Sequence, residues 1–175
     1  MKKIILITVI FSLFLFLSGC KKEETARLIV PDNYSNWAIT ADNLNYPIPG
    51  HEKHFRRVFI NPVGEKVTTE KKNGRLFYNY PKGTIIIKEI YPSLKPKPET
   101  KPISLSVMIK DPDNPKSRDG WIWIVKDLKK NTEKIIDYEF CYDCHTNANE
   151  PHPYGDGNPN GDFRDDVFFP YKKGK

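Results

Sequence analysis

The chain is poor in cysteine, with only Cys20, Cys141 and Cys144 among 175 residues. That excludes a disulfide framework, so the fold must be held by its own core and by whatever it binds. It has no internal repeat and no low-complexity block, which excludes solenoids and linker arrays. It lacks a hydrophobic run of ordinary spanning length. The longest, Ile4 to Leu17, is fourteen residues, apolar apart from Thr8 and Ser12. It also lacks a focused basic stripe with interleaved aromatics, so no nucleic-acid partner is expected.

What the ends contain is more specific. Lys2 and Lys3 precede the apolar run, and Leu17-Ser18-Gly19-Cys20 follows it. A positive start, a short apolar stretch and small residues before a cysteine form an export signal. The last four residues resemble a bacterial lipobox, in which the cysteine is lipidated and becomes the first mature residue. Residues 1–19 are therefore expected to be a lipoprotein signal peptide, with an uncleaved anchor as the alternative. Residues 20–34 are expected to be a tether from lipidated Cys20, and 35–175 one domain. Either way the domain sits outside the cytoplasmic membrane, held to a lipid bilayer at the periplasmic or outer envelope surface. A lipidated cysteine carrying more than one acyl chain gives stable anchoring. Losing residues 1–19 takes the net charge from +6 to +4 (26 basic against 22 acidic residues). That mild bias suits a solvated surface, an acidic redox partner protein or anionic lipid heads.

The densest chemical signal is Cys141-Tyr142-Asp143-Cys144-His145. Cys-x-x-Cys-His is the attachment signature of a c-type haem. Two thiols add to the two vinyl groups on one porphyrin edge, and the histidine that follows binds the iron from one face. Cys141 and Cys144 are the expected thioether residues and His145 the proximal ligand. A zinc knuckle would need more ligands than His51, His54 and His152 provide. A thioredoxin-like pair would need a βαβ context that is absent here. A plain disulfide remains an alternative, though a two-residue loop strains it.

The rest reads as a strand-rich domain. Ser35 or Asn36 caps a short helix carrying Trp37, Ala41 and Leu44 on one face, which Pro47 and Pro49 end. His51 and His54 follow, either as loop residues or as a second axial ligand. Phe55 to Ile60 is a strand by composition. Glu65 to Asn73 is a short polar helix that Gly74 terminates. Thr84 to Tyr91 is the clearest strand, with Ile86, Lys88 and Ile90 on one face and Ile85, Ile87, Glu89 and Tyr91 on the other. Lys88 between isoleucines either snorkels to a sheet edge or serves a site. Ile103 to Lys110 alternates as a half-buried strand, and Trp121 to Val125 is apolar on both faces and central. Leu128 to Tyr138 is a lysine-rich connection. The expected class is α+β, mostly antiparallel β: a small sheet with an N-terminal helix and a C-terminal c-type haem loop.

Several pieces resemble the cytochrome P-460 family and its relative cytochrome c-prime-beta. They are His54 to Asn61, Pro81 to Glu89, Val107 to Lys110, Gly120-Trp121, the Cys141 to His145 motif and Asp166-Val167-Phe168, in the family's order across nearly the whole mature domain. The resemblance implies an antiparallel β fold, a homodimer in many members, and one five-coordinate haem with an open distal side. The P-460 branch oxidises hydroxylamine or its products with nitric oxide, and bears a covalent lysine–porphyrin bond. The c-prime-beta branch lacks that bond and binds gases such as nitric oxide under phenylalanine. The matching lysine is Lys88, with Lys71 and Lys72 as alternatives. Phe55, Phe59 and Phe77 are candidates for the distal wall, and Glu150 for a proton relay. A third reading is a six-coordinate electron carrier using His51, His54 or Met108.

The tail holds Asp156-Gly157-Asn158-Pro159-Asn160-Gly161-Asp162, which resembles the first half of a calcium loop. Asp156, Asn158, Asn160 and Asp162 would be the oxygen ligands. Val167 stands where that loop wants Glu, although Asp165 and Asp166 are near. A metal-free Asn/Gly/Pro turn is the alternative.

Overall fold

The computed structural model describes residues 29–173. The expected signal peptide, Cys20 and most of the tether lie outside the described residues. Among the described residues, eight strands and one short α-helix build the domain. A six-stranded antiparallel sheet runs in the order β1 (Ala38–Leu44), β2 (Arg56–Ile60), β5 (Ile85–Ile90), β6 (Ser104–Lys110), β7 (Trp121–Asp127), β8 (Thr132–Ile135). A separate hairpin pairs β3 (Thr68–Lys72) with β4 (Arg75–Asn79). Helix α1 (Glu139–Thr146) follows the last strand. No helix among the described residues is long and apolar enough to cross a membrane.

Period-two alternation divides the sheet's side chains between two layers. Ile87, Leu105, Val107, Ile122 and Ile124 form one core with Val30, and Tyr34 and Trp37 pack on it. Val58, Ile60, Ile86, Met108, Trp121 and Trp123 form the other with Tyr142 and Val167. The second layer carries the site. Cross-strand register sets Val58, Lys88, Ser106 and Val125 in one row across that face.

Two expected helices are strands. Residues 34–36 make only a single 3₁₀ turn, and 38–44 is β1. The cause of the misreading is visible in the register. Irregularities between Ile39 and Ala41, and again between Ala41 and Leu44, offset the alternation. Ala41 and Leu44 then both face the site-side core, three residues apart as on a helix, whereas Trp37, the third residue of the expected face, packs on the opposite core. Residues 65–73 are likewise not an α-helix: Gly64–Lys66 is a single 3₁₀ turn and Thr68–Lys72 is β3. Asn73 (φ 51°) and Gly74 (φ 82°) form the two-residue turn of the β3–β4 hairpin, for which both must adopt positive φ. The haem motif, expected as a loop, lies on α1.

Candidate cofactor site

Placing the motif on a helix explains its spacing. Residues three and four apart share a helix face, so Cys141, Cys144 and His145 all line one cavity. Tyr142 points the other way and is buried, its hydroxyl donating to the Ile136 carbonyl (2.8 Å). The two thiols are free, and burial pushes both above the usual thiol range.

The cavity has a volume of about 260 Å³ and lies between α1 and the sheet. Val58, Ile86, Lys88, Met108 and Trp123 come from the sheet, and Phe168 and Phe169 from the C-terminal segment. The 45–55 loop supplies Tyr46, Ile48 and His51, and Tyr138 and Phe140 stand at the exposed rim. Gly50 (φ 76°) lets that loop close on Phe140, whose ring carbon would lie 3.2 Å from any added Cβ. Among the described residues no Asp or Glu lines the cavity.

His145 is held by its ring. Nδ1–H donates to the Asp166 carbonyl (2.9 Å), which leaves Nε2 free for a metal. Trp123 packs edge-on at 4.8 Å and Phe168 at 5.4 Å. Burial, then the Lys88 charge, lower the imidazole to about 3, so it stays neutral. The Asp166 carbonyl is aimed by unusual backbone. Asp165 and Asp166 both adopt positive φ, 52° and 65°. Successive carbonyls then accept from Trp121 Nε1 (3.1 Å) and His145 Nδ1. The Asn149 side chain clamps this bend, accepting from the Arg164 and Asp166 N–H groups (2.8 and 3.2 Å) and donating to Asp166 Oδ1 (2.7 Å).

Opposite the cysteines, Lys88 Nζ stands 2.8 Å from His51 Nε2. Burial, then the Arg56 charge, lower Lys88 to about 8. Burial, then Lys88, lower His51 to about 2, so His51 is a neutral acceptor. Arg56 itself is 1% exposed, its guanidinium donating to the carbonyls of Tyr46 (2.7 Å) and His51 (3.3 Å).

The other residues named from sequence lie elsewhere. Lys71 and Lys72 sit exposed on the β3 strand, Lys72 paired with Glu70. None of the three phenylalanines proposed as a distal wall lines the cavity. Phe55 packs on Tyr91, Phe59 faces the opposite core against Tyr34, and Phe77 stacks on Phe163. The aromatic walls are Trp123, Phe140, Phe168 and Phe169 instead. Glu150 is exposed and stands 3.7 Å from Arg75, away from the cavity. His54 Nδ1 is bound to the Tyr91 carbonyl (2.7 Å) outside the cavity, whereas His51 and Met108 line it.

The calcium expectation is corrected. Asp156 is spent on a bidentate pair with Arg164 (2.7 and 2.9 Å). The Asn158 side chain bonds Ala148 O, Asp162 O and Asp162 N, and Asp162 Oδ1 accepts from Leu76 N. Asn160 is exposed. The loop closes on its own oxygens, and no group of three or more His, Cys, Asp or Glu among the described residues could hold a metal.

Sequence reasoning missed Arg56 and Asn149. Arg56 was detectable, since Arg56, Val58 and Ile60 alternate onto the inward face. Asn149 was not, because its role depends on a bend seventeen residues later.

The chemistry of the donor set fits haem c: two free thiols and a neutral imidazole on one helix face, beneath an apolar, acid-free wall. Arg56 Nε and Trp123 Nε1, buried N–H donors of two residues lining the cavity, have no acceptor among the described residues. A family model described as Cytochrome P460 matches residues 31–168, most of the chain. A search of the curated proteins finds no match.

Proposed function

The chain belongs to the cytochrome P460 family and is thereby a c-type haem cytochrome; from that premise we propose that it oxidises hydroxylamine or a related nitrogen oxide at an open distal haem face. Cys141 and Cys144 carry the thioether bonds, and His145 binds from the proximal side with its Nδ1–H engaged by the Asp166 carbonyl. The bound haem supplies an electron-withdrawing iron to which a nitrogen lone pair can bind. Lys88 would be the residue cross-linked to the porphyrin, its nitrogen replacing a hydrogen on a ring carbon while two electrons pass to an external oxidant such as a peroxide. His51, neutral and 2.8 Å from Lys88 Nζ, positions that amine, and no carboxylate among the described residues lines the wall to take protons.

The observation that carries this reading is the position of Lys88. Of the three candidate lysines it alone faces the cavity, and its amine is already biased toward the neutral, nucleophilic form. The test is the intact mass of the haem peptide together with the ferric and ferrous spectra. A lysine adduct and a displaced Soret band are expected. A Soret band at the ordinary c-type position, with no adduct, overturns the enzymatic branch.

A second reading is a gas-binding cytochrome of the c-prime-beta sort, favoured by the absence of Asp and Glu from the cavity wall. Measured turnover of hydroxylamine excludes that as the sole role. On the enzymatic reading the protein sits outside the cytoplasmic membrane, anchored by lipid on Cys20, passes electrons to a redox partner protein and forms a homodimer. Lys2, Lys3, the apolar run and the Leu17–Cys20 motif support the anchor. Metabolic labelling with a fatty acid, lost in Cys20→Ala, checks it.

A further inference from the structure

The motif residue that turns away from the cavity ends a chain of touching rings. Tyr142 packs on Trp123, with centroids 5.3 Å apart at 62°. Trp123 packs in turn on the His145 ring, at 4.8 Å and 77°. Indole and phenol are the side-chain rings that give up one electron most readily. The two differ in where their proton can go. Trp123 is 3% exposed, and its Nε1–H has no acceptor among the described residues. An indole N–H only donates, so oxidised Trp123 keeps its proton and its positive charge, which a buried apolar position disfavours. The Tyr142 hydroxyl donates to the Ile136 carbonyl (2.8 Å) and to Asp137 Oδ1 (3.3 Å). The Asp137 side chain is 83% exposed, so a phenol losing an electron can hand its proton to that carboxylate and on to water. Arg118 lies over the Tyr142 ring at 5.2 Å and 3.6 Å from Asp137 Oδ1, which keeps the carboxylate beside the hydroxyl. An electron vacancy therefore moves downhill from Trp123 to Tyr142. Met108 shows what such a path protects. Its thioether lines the cavity, and it is the cross-strand partner of Trp123. A peroxide in the cavity can pass one oxygen atom to that sulfur and leave a polar sulfoxide in an apolar wall.

We propose that Trp123 and Tyr142 form a one-electron relay between the haem and the surface, with Asp137 taking the phenolic proton, that disposes of peroxide before the cavity is damaged. Reducing a peroxide ROOH to ROH and water takes two electrons and two protons. Each electron leaves Tyr142 through Trp123, and each phenolic proton passes to Asp137 and water. Two protons drawn from water complete the products. A small ascorbate-class reductant at the surface restores Tyr142 by giving back one hydrogen atom after each pass. The relay rests on the c-type haem of the proposed function, and needs neither hydroxylamine nor the Lys88 bond.

The test uses full-length protein from a host competent in cytochrome maturation, with haem content measured as the pyridine haemochrome. Samples are mixed with hydrogen peroxide and freeze-quenched for electron paramagnetic resonance, and parallel samples are digested for Met108 sulfoxide by mass spectrometry. Wild type should give a tyrosyl radical signal that Tyr142→Phe removes and Trp123→Phe lowers at least tenfold. Asp137→Asn should delay it. Met108 sulfoxide per haem should rise several-fold in Tyr142→Phe and Trp123→Phe. A tyrosyl signal absent from haem-loaded wild type, or unchanged in Tyr142→Phe, Trp123→Phe or Asp137→Asn, overturns the relay, as does an unchanged sulfoxide level. If Trp123→Phe fails to fold, Tyr142→Phe, which keeps the ring and loses only the hydroxyl, decides by the same two readouts. Colourless wild type would sink the haem reading and the relay together, whereas coloured protein without a Tyr142 radical sinks the relay alone.

Discussion

Replacing Asn149 by alanine should loosen the proximal histidine without touching it. The side chain makes three hydrogen bonds, two accepted from the Arg164 and Asp166 N–H groups and one donated to Asp166 Oδ1. Each is worth about 1 kcal/mol net, and a buried N–H left unpaired costs somewhat more. Asn149 is half-buried, so water recovers part of this. The bend it holds contains two successive non-glycine residues at positive φ, which disfavour themselves by about 1 kcal/mol each. The expected loss is about 2–4 kcal/mol in urea denaturation. A merely structural role would stop there. Because the Asp166 carbonyl accepts from His145 Nδ1–H, misplacing it also makes the imidazole a weaker donor. The iron–histidine stretching band of the ferrous protein should fall in frequency, and the reduction potential should rise. Asn147→Ala, an exposed neighbour, is the control. A loss under about 0.5 kcal/mol with an unchanged iron–histidine band would refute the reasoning.

Gly64→Ala should cost about 1–3 kcal/mol by overpacking, because its Cβ would sit 2.6 Å from Ile60 Cδ1 and 2.7 Å from Thr84 Cγ2; denaturation measures it, and haem content should not change. Glu133→Ala should cost roughly 2–4 kcal/mol, since Glu133 accepts the Ile29 and Val30 N–H groups and pairs with Lys126, which is 3% exposed; thermal and urea unfolding check this. Acid should weaken the fold through Asp156. Burial raises its carboxyl, but the Arg164 hydrogen bonds and charge outweigh that and hold it at about 2. A depressed carboxyl stabilises the fold above the ordinary carboxylate range, and that stability is lost as pH falls from about 4 toward 2. Asp156→Asn should flatten this acid limb in unfolding measured at successive pH values. Added calcium should leave the unfolding midpoint unchanged, because the oxygens of the 156–162 loop are occupied internally.

The parts legible in the sequence are those in which one residue's role follows from its nearest neighbours. Alternation in 84–91 placed Lys88 between two isoleucines on one face, and the sheet register sets that face toward the cavity. The cysteine–histidine spacing is a local rule, and a helix satisfies it more directly than the expected loop because positions three and four apart coincide. What escaped was set by pairs distant in the chain. The apparent helix at 35–44 is the product of two register shifts in a strand whose partner lies some twenty residues away. The three phenylalanines came from the family resemblance, yet Phe59 follows Val58 and so must face the other layer once Val58 faces the site. Alternation alone refutes Phe59 as a distal residue when Lys88 is accepted, since Val58 and Lys88 are cross-strand partners. The same row makes Arg56 an inward residue two positions earlier. One register assignment therefore decides which residues face the cavity, and its electrostatic consequence is a wall that carries Arg56 and Lys88 and, among the described residues, no carboxylate.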